Sequence, residues 1–273
     1  MRRAEWIQLV FVSILALVAW IRPLTAVRRW RVALLAALAI VLIVLARISA
    51  SFLPPLASSV IRDWLPALLL LVPYWQTGLL FTAPDPDLEK KLSIFDQRVF
   101  ATLRLDPARI RLGPLLSLWF ELAYVLAYPL VPLGLAALYL THRRAQADWY
   151  WQAVLVASYI CYAITLFVPA FPPRMLKERR SSASERTRMR KLNEGILARA
   201  GIQAITFPSA HVASSTAAAL FLLRLNLPLG LIFLAIALSI AAATVIGGYH
   251  YAADALLALV IAVLGFVSIF VVH

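Results

Sequence analysis

The sequence predicts an all-α fold, a polytopic transmembrane helical bundle of about eight spans that also carries an amphipathic interfacial helix. Three observations predict it. The chain is 63% hydrophobic and only 14% charged, whereas a soluble domain is about 45–50% apolar and about 25% charged. Its apolar residues fall in runs close to the ~20 needed to cross a bilayer. Its 26 Lys and Arg, set against 13 Asp and Glu, gather mainly in a few links between those runs.

N-terminal transmembrane helices occupy residues 1–83, as runs at about 6–21, 32–52 and 64–83. Met1-Arg2-Arg3 followed by Trp6 to Trp20 has the outline of a secretory signal. Leu17-Val18-Ala19-Trp20 lacks a small-x-small cleavage pattern, however, so the run is assigned as a first span. Residues 84–113 form an amphipathic segment, with Lys90, Lys91, Arg98, Arg104, Arg109 and Arg111 interleaved at helical spacing with Leu92, Ile94, Phe95, Val99, Phe100 and Leu103. That pattern predicts a helix lying along the membrane surface. The remaining spans fall within residues 114–273, at about 114–140, 149–170, 207–223, 228–248 and 251–272. A basic loop at 171–206 interrupts them, carrying Arg174, Lys177, Arg179, Arg180, Arg186, Arg188, Arg190, Lys191 and Arg199.

Nineteen of the 26 basic residues lie on the odd-numbered links. The positive-inside rule places those links in the cytoplasm and both termini outside, as expected for a multi-pass protein of the cell membrane. In a soluble protein a net charge of +13 would suggest nucleic-acid binding. Here the basic residues flank spans and meet anionic head groups, so the bilayer, not a nucleic acid, is the expected partner. The single Cys161 excludes a disulfide scaffold. No internal repeat occurs, and no small-xxx-small seam fixes an oligomeric state.

Ionisable residues at membrane depth are costly and mark either function or a buried pair. Five qualify: Glu121, His211, Arg224, His250 and Asp254. His250 and Asp254 are four residues apart, on one helical face, where the carboxylate fixes which imidazole nitrogen is free. The pair is either an oriented nucleophile or base, or a satisfied structural contact. His211 follows Pro208 and Ser209, a combination suited to a helix start whose free N–H groups attract an anion. It is either a proton donor to a bound phosphate or a buried His behind a cap. The two motifs fall on the same side of the membrane, on neighbouring antiparallel spans, and this coincidence favours a site. Arg174, in Phe171-Pro172-Pro173-Arg174, stands on that side too, offering either a planar fork for phosphate oxygens or a topology signal. Glu121 shares a face with Tyr124 and Tyr128, as a polar cavity wall or an interhelical hydrogen bond; Arg224 is expected to snorkel.

The His, Cys and carboxylate positions show no spacing typical of zinc or two-metal sites, and no Gly-x-Ser-x-Gly elbow occurs. Neither metal nor other cofactor is expected. A metal-free, His-based reaction on a phosphate is the chemistry these residues allow.

Pro208-Ser209-Ala210-His211 and the later His250-x-x-x-Asp254 resemble the second and third signatures of the type-2 phosphatidic acid phosphatase superfamily of integral-membrane enzymes. The resemblance spans roughly residues 85–270 in architecture, and its motifs lie within 171–254. The chain departs from the usual pattern in two places. Ala243 and Thr244 stand where Ser-Arg is usual, and the first signature is reduced to Pro172-Pro173-Arg174. Phe207 to Ala213, and Thr244-Val245-Ile246-Gly247-Gly248-Tyr249-His250-Tyr251, are similar to the inositolphosphotransferase-like branch, which includes inositol phosphorylceramide synthases.

The resemblance implies a six-helix catalytic core and a lipid phosphatase or phosphotransferase. His250 would be the nucleophile, Asp254 would orient it, and His211 would act as general acid. Arg174, Ser209, Ala210, Lys177 and Thr244 would bind phosphate, and Glu121, Tyr124, Tyr249 and Tyr251 would line a substrate cavity. The implied partners are a lipid phosphate and, for transfer, a lipid-alcohol or polyol acceptor such as one exchanging phosphoinositol in sphingolipid metabolism. The rival expectation is a membrane transporter or a catalytically silent lipid-binding protein using His250 and Asp254 as a proton relay or structural pair; the lack of an inverted repeat argues against a transporter.

Overall fold

The computed structural model describes residues 1–104, 113–175, 188–202 and 205–271. The described residues form a helical bundle without strands. In chain order the helices are α1 (Arg3–Ile21), α2 (Ala26–Ile48), α3 (Pro55–Leu69), α4 (Leu71–Leu80), α5 (Pro86–Thr102), α6 (Pro114–Leu126), α7 (Leu130–Leu140), α8 (Ala147–Thr165), α9 (Arg188–Ala200), α10 (Ala210–Leu225), α11 (Leu227–Ile246) and α12 (Ala252–Val271). Each predicted apolar run is helical, so the membrane-bundle class holds. By length and composition α1, α2, the α3–α4 run, α11 and α12 suffice to cross a bilayer.

Two runs expected to be continuous are broken, both at prolines. The 114–140 run bends by 74° between α6 and α7. Pro129 and Pro132 donate no N–H there, so the ladder cannot pass straight through. The 64–83 run breaks at Leu70, three residues before Pro73, for the same reason.

The main core gathers α6, α7, α8, α10, α11 and α12 around the small residues of α10, among them Ala213, Ala217 and Ala218, all fully buried. Small side chains let helices approach closely where the bilayer supplies no hydrophobic drive between them. Helices α1 to α4 pack alongside through α1, where Phe11 stacks on Tyr159 of α8 at 4.3 Å.

At one face this module is held by charges. Asp63 of α3 accepts from Arg2 at 2.6 Å, Arg144 at 2.7 Å and the Tyr139 hydroxyl at 2.5 Å, while Arg62 grips Glu5 at 2.6 and 2.8 Å. At the opposite face, arginines of the α1–α2 turn satisfy helix C-terminal carbonyls. Arg22 donates to Leu80 at 3.0 Å and to Leu166, and Arg28 donates to Phe81. Those last-turn carbonyls have no partner within their own helices. The C-terminus of α8, the N-terminus of α10 and the α11–α12 turn share this second face with the arginine turn.

Helix α5 has the expected amphipathic period, and its buried stripe packs on protein. Asp85 caps its N-terminus, accepting from the Asp87 and Leu88 N–H groups. Its Leu92–Asp96–Phe100 stripe is buried against the protein, Leu92 packing with Ala170, Ile205 and Tyr251. Lys90, Lys91, Ile94, Phe95 and Arg98 remain on its exposed face, a mixture suited to an anionic interface.

Candidate active site

The α11–α12 turn is built around two glycines. Gly248 adopts φ +69°, a left-handed conformation open to glycine and costly for other residues. A Cβ on Gly247 would lie 2.5 Å from the Tyr249 ring and 2.8 Å from the Ala243 carbonyl. Thr244, fully buried, closes the turn: its carbonyl accepts from both the Tyr249 and His250 N–H groups at 2.9 Å, while its hydroxyl donates to Ala241 at 2.8 Å. Thr244 therefore meets the turn through its carbonyl, and its hydroxyl proton is engaged within α11.

His250, which follows, is 5% exposed. Its Nδ1 lies 3.0 Å from Asp254 Oδ2, and the same oxygen accepts from the Tyr251 N–H at 3.1 Å. A carboxylate at Nδ1 selects the tautomer with the proton there and leaves the Nε2 lone pair for chemistry.

The second element is the start of α10. Ser209 is its N-cap: the side chain accepts from the Val212 N–H at 3.5 Å, and its own N–H donates to the Asp254 carbonyl at 3.3 Å. This bond ties the two His-bearing segments together. The Ala210 N–H faces Thr206 Oγ1 at 3.4 Å. The His211 ring lies edge-on to His250, with centroids 6.5 Å apart, and packs against Tyr128 at 5.1 Å and Tyr124 at 6.0 Å.

Arg174 is joined to the turn by its N–H, which donates to the Gly248 carbonyl at 3.0 Å, and its guanidinium sits 5.1 Å over the Tyr249 ring. Tyr249 in turn stacks on Tyr124 at 3.8 Å and donates to Glu121 at 3.1 Å. Glu121 also accepts from Asn193 of α9 at 2.6 Å, an interhelical hydrogen bond.

The structure thus brings His250, Asp254, His211, Ser209, Ala210, Arg174, Thr244, Glu121, Tyr124 and Tyr249 to one end of the bundle. Tyr251 is fully buried, its ring packing with Leu92, Ala170 and Ile205 while its N–H donates to the Asp254 carboxylate. Lys177 lies outside the described residues, as do Arg109, Arg111, Arg179, Arg180 and Arg186. Arg224, in the last turn of α10, is exposed, and its guanidinium lies 3.9 Å over the Phe270 ring.

Several residues near the site escaped the sequence reading. Thr165 receives the Phe207 N–H at 3.0 Å, Glu89 receives the Phe171 N–H at 2.7 Å, and Asp96 receives the Ala252 N–H at 2.7 Å. Asp96 had a signal, being an acid in register with Leu92 and Phe100 on an otherwise apolar stripe.

Fold and site together define a polytopic helical membrane protein with a paired-histidine, aspartate-oriented centre beside an arginine. A family model described as the PAP2 superfamily matches residues 90–268, more than half of the chain, and the chain belongs to that superfamily. It is therefore a multi-pass membrane protein of the phosphatase type. No curated protein and no solved structure matches it.

Proposed function

We propose that the chain is a metal-independent lipid phosphatase or phosphotransferase working through a phosphohistidine on His250. The single observation that carries this reading is the buried His250–Asp254 bond at 3.0 Å facing His211. In the first half-reaction the Nε2 lone pair attacks phosphorus, the bond from phosphorus to the leaving oxygen breaks, and His211 gives that oxygen a proton. Asp254 holds Nδ1–H and stabilises the positive ring as the P–N bond forms. Arg174, the Ser209 hydroxyl, the N–H groups around Ala210 and His211, and Lys177 from the basic loop hold the other phosphoryl oxygens, where charge builds. In the second half, an oxygen nucleophile attacks phosphorus, the P–N bond breaks and His211 takes the proton. Water gives hydrolysis, and an alcohol gives transfer.

The Phe207–Ala213 and Thr244–Tyr251 motifs support the inositolphosphotransferase-like branch, in which a phospho-head group such as phosphoinositol passes to a lipid alcohol. Glu121, Tyr124 and Tyr249 then form the wall on which a hydroxyl-rich group rests. The basic residues on the site face support a cytoplasmic location.

The test is release of inorganic phosphate from short-chain lipid phosphates by the detergent-purified protein in EDTA, and transfer to added ceramide or inositol, with His250→Ala beside wild type. Turnover lost in the variant is expected. Turnover retained by His250→Ala, or absent from wild type with every donor and acceptor, overturns the reading and favours a transporter or lipid-binding role.

A further inference from the structure

The site's two working segments are both held from outside by one helix. Asp96 of α5 is fully buried, and its carboxylate receives the Ala252 N–H at 2.7 Å, between His250 and Asp254 in sequence. Ala252 opens α12, and the N–H groups of a first turn have no partner within their own helix. An acid placed there also complements the positive end of the helix dipole. The same helix sends Glu89 to the Phe171 N–H at 2.7 Å, three residues before Arg174. At the α5 N-terminus the Asp85 N–H donates to the Pro169 carbonyl at 2.9 Å. Leu92 and Phe100 bury the stripe between and beyond these acids. Helix α5 therefore sets the Arg174 segment and the His250 turn in register from a single rigid body, one that presents Lys90, Lys91 and Arg98 on its exposed side.

We propose that Asp96 is a positioning residue for the His250–Asp254 pair, acting through the Ala252 N–H, with Glu89 doing the same for the Arg174 segment. The inference rests on His250 being the nucleophile, as proposed above. A short hydrogen bond from a buried N–H fixes the first turn of α12, and that turn sets where Nε2 points. Small displacements of a reacting group cost rate more than ground-state binding.

The test compares wild type, Asp96→Ala and Asp96→Asn, purified in detergent, by amide hydrogen exchange and by steady-state kinetics on whichever lipid phosphate wild type turns over. Asp96→Ala is expected to speed exchange in residues 249–255 while leaving 210–225 protected, and to lower kcat at least about tenfold with KM nearly unchanged. Asp96→Asn, which keeps an acceptor oxygen, is expected to recover most of kcat. Faster exchange with unchanged kcat makes Asp96 structural only and overturns the proposal, as does unchanged exchange at 249–255. If Asp96→Ala does not fold, the Asp96→Asn and Asp96→Ser pair decides: equal kcat in the two overturns the proposal, and loss in Ser alone supports it. Wild type inactive on all lipid phosphates and transfer acceptors overturns the parent reading, and the role of Asp96 falls with it.

Discussion

At the scale of single residues, the site depends on which nitrogen of His250 is free. Asp254→Asn keeps the shape but presents an amide that can donate to Nδ1, which selects the wrong tautomer and removes the charge opposing the phosphorylated ring. The expected result is a fall in kcat of about 10²–10⁴-fold in a folded protein, read by steady-state kinetics beside an unchanged circular-dichroism spectrum. Arg174→Lys keeps the charge but loses the planar fork and its stacking on Tyr249. A rise in KM of about tenfold is expected, larger than the change in kcat. His250 and Asp254 were legible in the sequence because polar atoms at membrane depth are few and each demands a reason, and Arg174 because it follows Pro172-Pro173 on the same side. Thr165, Glu89 and Asp96 were less so, since each serves a backbone N–H of a segment far away in the chain, and sequence spacing carries no trace of such a bond.

At the scale of elements, short stretches of backbone decide the geometry. Gly248→Ala forces a Cβ into the left-handed region at φ +69° and is expected to cost about 1–2 kcal/mol, seen as a lower unfolding midpoint, with kcat reduced because His250 rides on that turn. The Asp63 cluster is the corresponding element contact between the N-terminal module and the core. Asp63→Ala leaves the Arg2 and Arg144 guanidinium groups without their shared carboxylate. Loss of a largely buried partner of this kind is expected to cost about 3 kcal/mol, measured as a shift in denaturant midpoint. Helix existence was legible from apolar runs, whereas the α6–α7 bend was not drawn from them, although Pro129 and Pro132 were in view. A run of apolar residues reports what is out of water and says nothing about the direction the chain takes. The docking of α5 was half legible: its amphipathic period was evident, but whether the apolar stripe meets lipid or protein depends on the partner surface of Ala170, Ile205 and Tyr251.

At the scale of the whole molecule, charge and fold give one arrangement. The α1–α2 turn, α5 and the Arg174 segment lie at the end of the bundle that carries the site, while the Asp63 cluster lies at the other. A cysteine placed at exposed Pro23 is expected to resist a membrane-impermeant thiol reagent in intact cells, and one at exposed Arg143 to react, with the buried Cys161 silent in both. The reverse pattern would put the site on the outer face. The membrane class was legible because composition alone excludes a soluble chain. How the module 1–83 sits on the core was not, because it is set by contacts such as Phe11 on Tyr159 that join distant residues. The most direct measurement of the central claim is trapping the intermediate: a ³²P-labelled lipid phosphate is mixed with the protein, quenched in alkali and mapped by peptide mass spectrometry. An acid-labile, alkali-stable phosphoryl group on His250, absent from His250→Ala, is the expected result. Label on any other residue, or turnover of labelled substrate with no phosphoryl group ever found on His250, would contradict it.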